Sequence, residues 1–118
     1  MTRKELTEEY KNLKFKMGVF QIRNTINNNI FIDGSSNLDK IWNRHRTELD
    51  FGGHRNKELQ QDWKAYREEN FVFEIMAELE EQEGSTLDMD KEIKLLTQMY
   101  MEELQPYGDK GYHQKSTR

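Results

Sequence analysis

The sequence predicts an α+β fold: a central three-stranded antiparallel sheet flanked by helices, in the order α-β-β-α-α-β-α. Apolar and polar residues alternate over Gly18–Asn24, and a second run of strand formers, Ile30-Phe31-Ile32, follows Asn27-Asn28-Asn29. Asparagine tolerates the left-handed backbone of tight hairpins, so the two runs read as a β-hairpin. A third run, Phe71–Met76, is equally rich in strand formers, and apolar residues recur at helical spacing in the segments between and around these strands.

The elements follow in order. Residues 3–14 form a helix, with Leu6, Tyr10 and Leu13 on one stripe and Thr2 and Glu5 as a capping box. Gly18–Asn24 places Val19, Gln21 and Arg23 on one strand face, with Phe20 and Ile22 on the other. Gly34-Ser35-Ser36-Asn37 breaks the chain. Ser36 or Asn37 caps a helix running to about Asp50 that carries Leu38, Ile41, Trp42, His45 and Leu49 on one side. Paired glycines end it, so Phe51-Gly52-Gly53-His54 is a loop. Asn56 caps the next helix, where Leu59, Trp63 and Tyr66 share a face. An acidic connector, residues 80–90, leads into a helix over about Asp88–Leu104, and Pro106 marks its stop. The tail is polar, and residues 114–118 read as loose.

The chain of 118 residues is expected to be one domain over 1–118, its core about 17–113. Hydrophobic and charged residues each make up 34%, polar for a globular chain, but 13 aromatics argue against disorder. No run approaches the roughly 20 apolar residues that span a bilayer, so no membrane partner is expected. Met1–Glu5 is not followed by an apolar stretch, and a cytoplasmic protein is the expectation. Cysteine is absent, which excludes thiol catalysis, disulfides and thiolate metal sites. The net charge of −4 disfavours nucleic acid overall, yet it is unevenly spread. Residues 37–57 carry five cations against three acids, whereas residues 78–92 carry seven acids against one lysine. A local basic face is therefore compatible with the acidic total.

Gly18-Val19-Phe20, then Phe31-Ile32-Asp33, then Trp42 and His45 form a longer pattern. Gln21-Ile22-Arg23-Asn24-Thr25 lies between the tripeptides, and Ser35-Ser36-Asn37-Leu38 precedes Trp42-Asn43-Arg44-His45. His54, Asn56–Gln60, Trp63, Asn70–Ile75, Leu104–Gly108 and Gly111-Tyr112 continue it. In order and spacing this resembles the GIY-YIG endonuclease family over roughly residues 17–113. The resemblance implies a small GIY-YIG-like domain and a site built from family-equivalent positions. Phe20 stands where a tyrosine helps activate water, and Phe31 where a second tyrosine positions the phosphate. Ile41 stands where an arginine stabilises the scissile phosphate. His45 and His54 match retained histidines. Thr97 replaces the glutamate that binds one divalent metal, His113 replaces a late asparagine, and Asp33 stands at the second tripeptide's glycine, with Gly34 one place later. Either that glycine is substituted or the register shifts by one.

Phosphodiester cleavage needs an activated oxygen, and phenylalanine offers none. Isoleucine supplies no charge to the transition state, and losing one such contact costs about 10²–10³ in rate. Threonine is a poor sole anchor for Mg²⁺ or Mn²⁺. Glu102 does not substitute, because five residues turn about 140° around a helix. No metal is therefore expected, although Asp33 is a remote carboxylate candidate beside its reading as a turn former. Among the catalytic positions only His45 and His54 are chemically competent. His45 reads either as a packed residue or as a residual phosphate or proton-transfer group. His54, in a glycine loop, is expected to be exposed, either idle or in contact with a ligand. Phe20 and Phe31 read as core aromatics or as base-stacking platforms. Arg23, Lys40, Arg44, Arg46, Arg55 and Lys57 are candidates for phosphate contacts or for a solvated face.

The first expectation is thus a nuclease-fold protein, catalytically degenerate, with nucleic acid, DNA before RNA, as its partner and no cofactor. The alternatives are an active Mg²⁺- or Mn²⁺-dependent DNA endonuclease with a rearranged site on His45, His54 and Asp33, and a protein-interaction module.

Overall fold

Strand β1 (Met17–Asn24) lies at the centre of an antiparallel sheet, with β2 (Ile30–Ser35) on one side and β3 (Phe71–Leu79) on the other. This is a computed structural model, and it describes residues 16–80 and 88–114. The helix expected over residues 3–14 lies outside the described residues, as do positions 81–87 of the acidic connector and 115–118 of the tail. The other expected elements all form. Helix α1 (Leu38–Phe51) starts at Asn37, whose side chain accepts the Lys40 N–H, and stops at Gly52 in the left-handed region. Helix α2 (Lys57–Tyr66) starts at Asn56, whose side chain accepts the Leu59 N–H. Helix α3 (Met89–Leu104) starts at Asp88 and ends before Pro106.

The hairpin turn is the work of its asparagines. Asn28 takes a φ of 63°, and the Asn27 side chain accepts the Asn29 N–H at 2.9 Å. Pairing of β1 with β2 runs without a shift from Gly18 opposite Ser35 to Arg23 opposite Ile30. The ladder passes straight through Asp33–Gly34, so Asp33 shares a face with Phe20, and Gly34 shares the other with Val19. A Cβ on Gly34 would overlap Ile93 Cγ2 and come within 2.6 Å of Thr97 Oγ1, so close packing of α3 demands a glycine there.

The third strand is longer than the sequence suggests. It continues past Met76 to Leu79, because Met17, Gly18 and Val19 pair with Leu79, Glu78 and Ala77. A bulge interrupts this ladder between Val19 and Phe20, leaving Met76 as the extra residue, and the Tyr100 hydroxyl donates to its carbonyl at 3.3 Å. Gly18 lies at the bulge with a φ of +152°, where a Cβ would overlap the Ala77 carbonyl oxygen. The first glycine of the sequence pattern is thus a backbone requirement.

Helices α1 and α2 cover the face of Phe20, Ile22 and Phe31 and close the main core with Leu38, Leu49, Leu59, Trp63 and Phe71. Helix α3 covers the opposite face through Ile93, over Val19 and Ile32. The segment after α3 crosses the outer edge of β2. There the Tyr112 N–H donates to Ile30 O at 3.0 Å, and the Ile32 N–H donates to His113 Nε2 at 2.8 Å. This edge is capped by a carbonyl contact and an imidazole. Tyr112 is buried, its hydroxyl donating to Asp62 at 2.7 Å and accepting from Asn24 Nδ2 at 3.1 Å.

Candidate functional site

The residues at the two tripeptides and the following helix converge in one ring cluster. The chain's three histidines all meet at Phe31. Its ring centroid lies 5.5 Å from His45, 5.7 Å from His54 and 5.0 Å from His113, the last nearly parallel. Phe20 packs against His45 at 5.6 Å and Phe73 at 5.0 Å. Ile41 packs at the margin as a partly buried side chain, and Trp42 stacks on Phe73. Phe20 is 0% exposed and Phe31 4%, so neither offers a face on which a base could stack, and that expectation is corrected. Thr97 is not part of the cluster: it sits on α3 against Gly34, across β2 from the rings.

His54 departs from its expectation. It is buried, not exposed, because Gln60 pulls the glycine loop inward. The Gln60 side chain accepts the His54 N–H at 3.0 Å and donates to Leu49 O at 2.8 Å. The hydrogen bonds then fix each ring. Asn56 N–H donates to His54 Nδ1 at 3.0 Å, so Nε2 carries the proton of the neutral ring. That Nε2–H points at His45 Nδ1, 2.8 Å away, which makes His45 Nδ1 an acceptor and leaves its proton on Nε2. His45 Nε2 is buried and meets no hydrogen-bond partner among the described residues. Burial, and secondarily the neighbouring His54, lower the His45 pKa to about 4. Burial likewise holds His54 and His113 below the ordinary histidine range, with Asp33 opposing this at His113.

The cations divide into two groups. Arg23 is paired within the domain: its Nε donates to Glu74 at 2.7 Å across the sheet. Arg46 lies over the Trp42 ring at 5.4 Å and near Glu68 at 3.6 Å. Arg44 is exposed and pairs with Glu48 one helical turn on. Arg55 is exposed and donates to Asp33 at 2.7 Å, while the other Asp33 oxygen accepts the Gly34 N–H at 2.8 Å. Lys40 and Lys57 are exposed and form no ion pair with a described residue. An open cleft of about 330 Å³ runs between Phe31, Asp33, Arg55, Asn56 and His113.

Three places test for a metal. Donor atoms of His45, Glu48 and His54 lie within 4.8 Å of one another. A ligating imidazole normally donates its other N–H to an acceptor. Here the other nitrogen of His54 receives an N–H from Asn56, and that of His45 has no partner, so the wiring suits a shared proton and not a metal. At the family-equivalent position, Thr97 Oγ1 donates to Ile93 O at 2.7 Å. A hard divalent cation prefers carboxylate, and this hydroxyl does not fit one. Asp33, the remote candidate, is tied to Arg55 and Gly34.

The sequence singled out His45 and His54 but gave His113 only as a replaced asparagine. It missed Gln60 and the Asn24–Tyr112–Asp62 link as well. The pairing of Asn56 with His54 two residues before it was the available local signal.

The sheet and its flanking helices define an α+β domain, and its solved neighbours give the nuclease fold. No family model matches the chain. Over 59 residues, half of the chain, it is 34% identical to intron-associated endonuclease 1 of Enterobacteria phage T4, and the match spans 23% of that relative's length. Among solved structures, the catalytic domain of the homing endonuclease I-TevI superposes with a TM-score of 0.70 at 25% identity, covering 86% of this chain and 100% of that one. A mutant of the same catalytic domain gives a TM-score of 0.70 over 84% of this chain and 93% of that one. These similarities support the resemblance to the GIY-YIG family.

Proposed function

We propose that this is a catalytically silent GIY-YIG domain that binds nucleic acid through exposed cations beside the old site. One observation carries the loss of cleavage. The positions that should present hydroxyls to a phosphate hold phenylalanines closed from solvent, packed on neutral imidazoles. Water, phosphate and metal have no place to meet there. Electrostatic and acid–base contributions supply most of the rate in phosphoryl chemistry, and at this centre only buried, neutral histidines remain to make them. The relatives are named endonucleases, and Lys40, Arg44, Arg55 and Lys57 remain exposed around α1 and the start of α2, which supports a phosphate-backbone partner.

The test pairs a cleavage assay with a gel shift. Single-stranded, duplex and branched DNA should stay intact with Mg²⁺ or Mn²⁺, whereas duplex DNA should shift at low salt. Affinity should fall with a log–log salt slope of about −0.9 per phosphate neutralised. Nicking that vanishes with His45→Ala would establish instead the rearranged-site nuclease. Absence of binding at micromolar protein would favour the protein-interaction reading.

A further inference from the structure

The three histidines share a property that their burial alone does not require. Each holds one ring nitrogen as the acceptor of an N–H group: His54 Nδ1 from Asn56, His45 Nδ1 from His54, and His113 Nε2 from Ile32. A protonated imidazole has no lone pair, so adding a proton at any of these nitrogens sets two donors face to face. His113 is the outermost of the three and the only one that holds a strand edge. Ile32 directs its N–H away from β1, and the imidazole is what receives it.

We propose that residues 106–113 form an acid-released cover over the outer edge of β2, with His113 as the catch. When His113 is neutral, its Nε2 completes the edge and its ring covers Phe31 at 5.0 Å. When it is protonated, the Ile32 N–H loses its acceptor and meets a donor, and the segment lifts from β2. Release widens the cleft beside Asp33 and Arg55 and uncovers the face of Phe31. The proton comes from solvent and goes to Nε2; no other bond changes. Asp33 on β2 faces the ring and favours its charged form, and Arg55 opposes it. His45 and His54 lie behind Phe31, and on the segment itself Asp109 and Lys110 are exposed. Tyr112 also anchors the segment, its N–H donating to Ile30 O, its carbonyl accepting from Asn56 Nδ2 and its hydroxyl bonded to Asp62 and Asn24, so release starts at His113, whose own N–H donates to Pro106 O. The sign is fixed by the lowered pKa: the cover is fully held above the ordinary histidine pKa and loosens as pH falls below it. This inference stands independently of nucleic-acid binding.

The experiment is amide exchange and histidine NMR on the full chain between pH 7.5 and 4.5, with rates expressed relative to intrinsic exchange. Protection of the Ile32 amide should fall about tenfold per pH unit once below the ordinary histidine pKa, following one proton, while Ile22 in the central strand stays protected. In His113→Gln, whose side-chain oxygen accepts without titrating, Ile32 protection should be flat. His113→Asn is the second variant should the glutamine chain fail to fold. Constant Ile32 protection through the His113 titration would overturn the proposal. So would an equal loss in the variant, or a parallel loss at Ile22, since the last is global unfolding.

Discussion

Acid should weaken the whole domain through His45. Its pKa is 6.5 in an open chain and about 4 in the fold. The fold therefore favours the neutral ring. A depressed pKa contributes stability that is complete above 6.5 and is lost as pH falls from there toward 4. At ~1.36 kcal/mol per unit, the separation amounts to about 3 kcal/mol, most of it gone by pH 4.5. That is a large share of the roughly 5–15 kcal/mol by which domains are stable. Urea unfolding at pH 7.0 and 4.5 measures the loss in the native chain and in His45→Gln, which cannot titrate. Carboxylates such as Glu74, held below the usual range by the Arg23 hydrogen bond, contribute to both chains and cancel in the comparison. The native chain should lose about 2–3 kcal/mol more than the variant. An equal loss would refute the argument, because it would mean His45 titrates in the fold as it does in the open chain.

Further outcomes are open to direct measurement. Gly34→Ala should destabilise by about 1–3 kcal/mol in urea unfolding through overpacking against Ile93 and Thr97, and Thr97→Ala should return part of that cost in the double variant. Tyr112→Phe should cost about 1–3 kcal/mol by chemical denaturation, because Asn24 Nδ2, fully buried, loses its acceptor. In gel shifts, Lys40→Gln or Lys57→Gln should reduce the salt slope by about 1 each, whereas Arg23→Gln, already held by Glu74, should leave it unchanged.

What the sequence made legible was short-range. Asn37 and Asn56 declared their helices because a cap acts within three residues, and Asn28 declared the hairpin because it pays its own backbone cost. That Phe20, Phe31 and Ile41 carry neither hydroxyl nor charge, and Thr97 no carboxylate, was equally plain, since it depends on residue type alone. What stayed hidden was set by partners far along the chain. Arg23 finds Glu74 fifty-one residues away, and His113 reaches Ile32 from eighty-one. His54 looked exposed because two glycines precede it, and only Gln60 reaching back to Leu49 reverses that. Residues 77–79 of β3 carry no strong strand pattern; their conformation is imposed by Met17–Val19.

The order β2-β1-β3 also bears on how the domain is made. β1 can pair with β2 once residue 35 is available, but its other edge waits for β3, which begins only at Phe71. Until then Val19, Phe20 and Ile22 flank an unpaired row of backbone donors and acceptors, the arrangement that recruits strands from other chains. A ribosome stalled before Phe71, or a fragment ending there, should yield a sticky half-sheet. The bulge at Val19/Phe20 adds to the delay, because β3 has to be set with Met76 looped out before the edge can close.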